Sequence, residues 1–186
     1  MNLQLRPAKA SDQPLIARAL FAAWRWRRPW DEDTFQDHLR AGSPDSYVDD
    51  FGRRSGDGGI IAEEVSAEAR TFAGAAWYRF FTNDDHRAGF VAEDIPELAV
   101  AVEPLARGRG LGRALLRELM DLATGHRIRA LSLHVSTENT VARSLYQSLG
   151  FEVVQDHQDH GVVMLAELKM PWPEAVADKC VRRVRS

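Results

Sequence analysis

The 186-residue sequence has a single cysteine, Cys180, close to its end. That scarcity excludes an intrachain disulfide and a cysteine-rich metal site, so no metal centre is expected, and the place of Cys180 in the tail argues against a thiol nucleophile. Long apolar runs are also missing: none approaches 18 residues, and charge enters within the first six, Met1-Asn-Leu-Gln-Leu-Arg6. Neither a membrane-spanning helix nor a secretory leader is expected, and the location implied is the cytoplasm, with no membrane partner. Net charge is small as well, −3 with an isoelectric point near 6.1, which argues against nucleic acid as a partner. The basic run at 179–185 reads as a solvated tail. No internal repeat is visible.

What is present is enough apolar residue, 45% of the chain, to bury one core. We expect one domain over residues 1–170, with 171–186 as a tail outside it.

The most informative stretch is an apolar strand, Val100-Ala-Val102, that breaks at Pro104, turns through Arg107-Gly-Arg-Gly-Leu-Gly112 and launches a helix. Without Cβ atoms, Gly108, Gly110 and Gly112 let backbone N–H groups converge on an anion. The helix carries Leu111, Leu115, Leu116, Leu119 and Leu122 on one stripe, yet no Ser, Thr, Asp or Asn stands at its start to cap the free donors. Arg107, Arg109 and Arg113 add positive charge at the end where the dipole already favours an anion. A pyrophosphate fits such a turn. The Gly-Lys-Ser/Thr of a Walker loop is missing, and a dinucleotide fingerprint fails because residue 113 is arginine rather than glycine. The plain alternative is a solvated strand-to-helix turn.

Taken in order, Leu3 and Leu5 alternate with polar residues as a short strand before Pro7. Ser11 or Asp12 caps a helix bearing Leu15, Ile16, Ala19, Leu20, Ala23 and Trp24 on one stripe and ending near Pro29. A second helix follows the 31–33 acidic cluster, runs through Phe35 and Leu39, and stops at Gly42-Ser-Pro44. Trp26 and Trp30 fall off the apolar stripe; they are either core or the lining of a substrate pocket. Residues 60–62 and 72–81 form a hairpin. Residues 82–96 make an acidic loop, either a solvated excursion or a device in which Asp84, Asp85, Glu93 and Asp94 steer a cationic substrate.

Beyond the turn helix, residues 130–136 alternate, with Leu131, Leu133 and Val135 on one face and Ser132, His134 and Ser136 on the other, as a half-buried strand does. Asn139 caps a helix through Val141, Leu145 and Leu149, with Ala142 and Tyr146 beside them, and Gly150 ends it. Residues 151–154 and 162–168 form a closing hairpin, and Pro171-Trp-Pro173 ends the fold. The element order predicts an α/β mixed sheet with helices on both faces.

Arg107-Gly-Arg-Gly-Leu-Gly112 resembles the Arg/Gln-x-x-Gly-x-Gly/Ala signature of the GNAT superfamily of N-acetyltransferases. Leu133 to Val135, then Asn139, Ala142, Leu145-Tyr146 and Leu149-Gly150-Phe151, look like that family's later strand-helix-strand segment. The likeness covers roughly residues 3–170. It implies a GNAT-like acyl-CoA N-acyltransferase fold: a central, mostly antiparallel mixed sheet split in a V between its fourth and fifth strands. It implies acetyl-CoA as cofactor, with pantetheine along Val100, Ala101 and Val102 and pyrophosphate on Arg107, Gly108, Arg109, Gly110, Leu111, Gly112 and Arg113. Asn139 matches the family's polar contact to the cofactor arm, and it can equally be a plain helix cap. Tyr146 matches the residue near the sulfur.

The reaction the resemblance implies is direct attack of a primary amine, on a small molecule or a peptide, on the thioester. An amine with a pKa near 10.4 is neutral in only about one part in 10³ at pH 7, so a base or a desolvating pocket is needed. Glu97 at the head of the central strand is the first candidate base and His134 the second. A backbone N–H at Val100 or Val102 is the expected donor to the carbonyl oxygen. A domain that binds acyl-CoA without turnover, or one that transfers another acyl group, are the alternatives. A homodimer is a further expectation from the resemblance.

Overall fold

Alternating apolar positions draw the amino end into strand β1 (Asn2–Pro7). The computed structural model describes residues 2–41, 46–157 and 161–169. After β1 come helices α1 (Gln13–Trp24) and α2 (Glu32–Ala41), then strands β2 (Gly58–Val65), β3 (Arg70–Arg79) and β4 (Glu97–Val102). Helix α3 (Leu111–Gly125), strand β5 (Ala130–Val135), helix α4 (Thr140–Gln147) and strands β6 (Glu152–Asp156) and β7 (Val162–Glu167) complete the order.

The strands form one seven-stranded sheet in the order β1-β2-β3-β4-β5-β7-β6. Every neighbouring pair is antiparallel except β4 and β5, which run parallel and share the single registered pair Glu97 and Ser132. This is the mixed, mostly antiparallel sheet expected, with its break between the fourth and fifth strands.

Alternation along the strands sorts side chains into two layers. Ile16, Ala19 and Leu20 of α1 pack with Ile61, Ala75, Trp77 and Ala101 on one face. On the other, Leu111, Leu115, Leu116 and Leu119 of α3 pack with Ala76, Leu98, Leu131 and Leu133, and Tyr146 of α4 joins them. Helices therefore cover both faces.

Three local expectations change. Trp24 leaves the core: it stands 52% exposed at the last turn of α1, edge-on to His38. Strand β5 is interior, not half-buried, with Ser132 fully buried and Gly89 of the 82–96 segment lying against the His134 backbone. Asp12 precedes α1 but does not cap it; its carboxylate takes the Arg6 guanidinium at 2.7 and 2.9 Å and the Lys9 N–H at 2.8 Å.

One anchoring network had no sequence signature. Arg79 is 1% exposed and donates to both Asp57 oxygens at 2.9 and 3.0 Å and to the carbonyls of Ser46 and Asp49 at 2.7 Å each. Trp77 Nε1 holds the Tyr47 carbonyl at 3.0 Å. Paired and hydrogen-bonded in this way, a buried guanidinium fixes residues 46–57 against β3. The Gly42–Pro44 stop, the proline pair around Trp172 and the whole 171–186 tail with Cys180 lie outside the described residues.

Candidate active site

The site begins where the sheet opens. Ser132 N–H donates to the Pro96 carbonyl at 3.1 Å, and past that bond β4 and β5 share no further registered pair. On the opposite edge of β4, Glu103 N–H donates to Ala73 O at 2.9 Å. Antiparallel ladders use alternate residues, so the odd-numbered residues of β4 bond β3 while Val100 and Val102 turn their N–H and C=O groups toward the opening. The backbone of Ala101, between them, is spent on β3.

At the wide end of the opening lies the glycine turn. Gly108 and Gly110 sit at φ +72° and +79°, in the left-handed region, and a Cβ on either would meet nothing within 4 Å. Gly110 is the N-cap residue of α3 and offers no side-chain cap. The N–H groups of Leu111, Gly112 and Arg113 therefore start the helix without capping acceptors, the arrangement that attracts phosphate. The arginines do not converge there as the sequence suggested. Arg107 Nε donates to Val102 O at 3.0 Å, Arg109 pairs with Glu64, and Arg113 donates to Ser148 Oγ at 2.7 Å. Backbone donors and the helix dipole, not a cluster of guanidinium groups, dominate the turn.

At the narrow end, Glu97 is 3% exposed. Its Oε1 accepts the Tyr47 hydroxyl and the Gly89 N–H, the latter at 3.0 Å. Its Oε2 is buried with no hydrogen-bond partner among the described residues. Burial, partly offset by the Tyr47 and Gly89 donors, pushes the carboxyl up to about 7. Gly89 is needed for this fit: a Cβ there would lie 2.5 Å from Glu97 Oε1 and 2.7 Å from the His134 nitrogen.

Glu97 shares its sheet face with Ala99, Ala101, Ser132 and His134, the face that α1 covers. Tyr146 lies across the sheet, 8% exposed, packed on Phe151 with ring centroids 5.8 Å apart. Burial pushes its phenol up to about 12. His134 is half-buried, and its ring lies 6.3 Å from that of His157. Asn139 is a helix cap, its Oδ1 accepting Ala142 N–H at 3.2 Å.

Tyr47 and Gly89 escaped the sequence reading. One lies in a turn without a motif, and the other sits inside the acidic loop. The acids of that loop are engaged locally: Asp94 pairs with Arg129 at 2.7 Å, Asp85 with Arg87 at 3.1 Å, and Glu93 accepts Asn83 donors at 3.0 and 2.8 Å. Trp30 packs edge-on against Phe21 and lines a pocket beside the opening, whereas Trp26 lies under Arg27.

An opening between parallel strands, an uncapped helix after glycines and a buried carboxylate invite comparison with known proteins. Residues 19–151 match the model of the acetyltransferase (GNAT) family. The chain belongs to the GNAT family. Among its GNAT relatives, a mycothiol acetyltransferase of Rothia mucilaginosa is 39% identical over 159 residues, covering 82% of this chain and 42% of that protein. The [ribosomal protein bS18]-alanine N-acetyltransferase of Salmonella typhimurium is 32% identical over 120 residues, 54% of this chain and 80% of that protein. The chain spans less than half the length of the mycothiol acetyltransferases it matches. The same GNAT fold is seen in the PaiA N-acetyltransferase of Thermoplasma acidophilum, crystallised with coenzyme A: TM-score 0.62, 18% identity, 90% of this chain and 99% of that one. It recurs in a phosphinothricin acetyltransferase of Sinorhizobium meliloti in complex with acetyl-CoA: TM-score 0.57, 22% identity, 99% and 96%. Among the described residues, no helix is long and apolar enough to cross a membrane.

Proposed function

We propose that this chain is an acetyl-CoA-dependent N-acetyltransferase acting on a primary amine by direct transfer, with Glu97 as base and Tyr146 as donor to the departing sulfur. The observation that carries the reading is the single registered pair Glu97 and Ser132, beyond which the backbone of Val100 and the N–H of Val102 face the opening between an anion nest and a buried carboxyl, the Val102 carbonyl being held by Arg107. Those features suit acetyl-CoA. The open glycine turn and the uncapped start of α3 would take its pyrophosphate, and Val100 and Val102 would pair with its amide arm. Asn139, which caps α4, would also contact that arm. When bound, acetyl-CoA supplies an acetyl thioester whose C–S bond breaks as the new C–N bond forms.

The acceptor amine arrives protonated and must lose a proton before its nitrogen can attack. Glu97, with a carboxyl near 7, is half-ionised at neutral pH and can take that proton, through water given its burial. A base matched to the working pH is the best compromise between being ionised and being basic enough. His134 lies on the same face and is half-buried; Glu97, buried with two donors on one oxygen and its carboxyl near 7, is assigned the role. Tyr146, with its phenol near 12, stays protonated and stabilises the leaving sulfur by a hydrogen bond in preference to full transfer. Because the two side chains lie on opposite faces of the sheet, amine and thiol meet the split from opposite sides. The N–H of Val100 or Val102 supports the carbonyl oxygen as charge builds on it.

A primary amine on a small molecule or a peptide fits the reading, and relatives named for mycothiol and for a ribosomal protein's alanine take one of each. The same reading places the protein in the cytoplasm, over one domain spanning 1–170. A homodimer is its oligomeric expectation, checked by light scattering. The test of function is incubation with acetyl-CoA and a panel of amines while free thiol is followed. Thiol release that depends on amine supports transfer; tight coenzyme A binding with no release from any amine overturns it in favour of a binding domain.

A further inference from the structure

A pocket opens beside the wide end of the split, on the face that α1 covers, and none of the residues that carry the chemistry line it. Of the eight residues that line it three are arginines, Arg25, Arg28 and Arg107, beside Phe21, Trp30 and Pro104, and none is acidic. Arg25 stacks over the Phe21 ring at 5.1 Å, and its Nε is buried with no hydrogen-bond partner among the described residues. A buried guanidinium donor without an acceptor is costly unless a ligand supplies one. The nearby acids are committed elsewhere. Glu32 and Glu103 hold Arg18 at 3.3 and 2.8 Å, and Arg18 lies 4.0 Å from the Trp30 ring centre. The Asp31 carboxylate accepts the Thr34 N–H at 3.0 Å, although it also feels the Arg25 charge.

We propose that this pocket is an acceptor subsite for an anionic group, a carboxylate carried by the amine substrate some distance from its reacting nitrogen. The inference rests on the N-acetyltransferase reading and names the acceptor's chemistry. Its location decides the source of the anion. The glycine turn with the α3 start faces the other layer of the sheet and is spoken for by the pyrophosphate, whereas Phe21 and Trp30 belong to the face from which the amine approaches. Val100 and Pro104 lie four residue steps apart, at most roughly 13 Å at 3.3 Å per residue. A peptide with its free amine at the split therefore brings its third or fourth side chain to Arg25 and Arg28. The guanidinium pair then reads a carboxylate, and Trp30 with Pro104 supplies the apolar wall for its stem. In the 82–96 loop Asp85, Glu93 and Asp94 are already engaged by Arg87, Asn83 and Arg129.

The test uses the purified full chain and three tetrapeptide amides with free amino ends: Ala-Ala-Ala-Glu, Ala-Ala-Ala-Gln and Ala-Ala-Ala-Lys. The expected result is a kcat/KM about tenfold higher for the Glu peptide than for the Gln peptide, carried by KM, with the Lys peptide poorest. In Arg25→Gln, and in the more exposed Arg28→Gln, the ratio of Glu to Gln peptide should collapse toward one. Equal KM for all three peptides in the wild type, or a preference that survives both substitutions, overturns the subsite while leaving acetyl transfer standing. If no peptide releases thiol, the amine panel decides the reaction assignment, and calorimetric titration of the same peptides onto the coenzyme A-loaded chain decides the subsite. Glu-selective binding lost in both variants supports it, and binding blind to charge overturns it.

Discussion

The Tyr47 hydroxyl donates to the same Glu97 oxygen that receives the Gly89 N–H. Two donors on one oxygen favour the ionised carboxyl, while burial favours the neutral one, and the balance falls near neutrality. Tyr47 is held for this task at both ends, its carbonyl by Trp77 and its ring against Phe81 at 5.3 Å.

Replacing Tyr47 by Phe removes one stabilising donor and leaves the burial. The Glu97 carboxyl should then ionise at higher pH, moving the acid limb of kcat/KM upward. Activity at pH 7 should fall and converge with wild type in alkaline buffer. A pH–rate profile checks this, and an unmoved acid limb would sever the link between Tyr47 and the base.

Glu97→Gln should cost about 10²–10⁴-fold in kcat/KM, the usual range for a lost general base. Its effect on stability has the opposite sign. The folded carboxyl sits near 7 against an ordinary 4.5, so the fold holds its proton more tightly than the unfolded chain does. That stabilisation is complete below pH 4.5 and is lost as pH rises through 7, a change of ~3 kcal/mol. The amide variant should lack this loss and be more stable than wild type at pH 8 in urea titrations. His134→Ala, measured in parallel, should keep most of the turnover.

How much of this could be read from the letters alone differs from residue to residue. Gly108, Gly110 and the leucine stripe of α3 were legible because local rules, left-handed φ and helical period, fix them within a dozen residues. Glu97 stood out by its position at the head of a strand. Tyr47, Gly89, Arg79 and Asp57 were not, since their partners lie between 8 and 50 positions away in sequence and no periodicity joins them. The arginines of the glycine turn were overread: composition says that positive charge is near, but packing sends each guanidinium to its own acceptor. Trp24 misled for a related reason, because an apolar stripe continues past the point where the helix still meets the sheet.

For Tyr146 the expectation is a lower kcat, by about tenfold, on replacement by Phe, with little change in the KM for acetyl-CoA. Because its phenol stays protonated to about 12, no alkaline limb below pH 10 should belong to it. Rapid-quench measurement of the chemical step against steady-state KM checks both statements. Unchanged turnover removes the residue from the reaction.

A Gly110→Ala variant isolates the nest. No atom lies within 4 Å of the added methyl, so the penalty is backbone strain at φ +79°, about 1–2 kcal/mol. Calorimetry should show Tm lowered by about 2–4 °C for each kcal/mol. Coenzyme A should bind several-fold more weakly, whereas dephosphorylated pantetheine, which never reaches the turn, should bind as before. An equal loss for both ligands would mean that the turn does not hold the phosphates.

The lone rung between β4 and β5 divides the sheet into a four-stranded and a three-stranded plate riveted at one point. Between the plates, force passes through leucine side chains under α3, not through a continuous hydrogen-bonded ladder. Sliding or prying them apart would strain that rung first, so the Ser132 amide is a built-in gauge of the hinge. Its deuterium uptake should track breathing of the two plates separately from global unfolding, and a wedge seated between them should slow it.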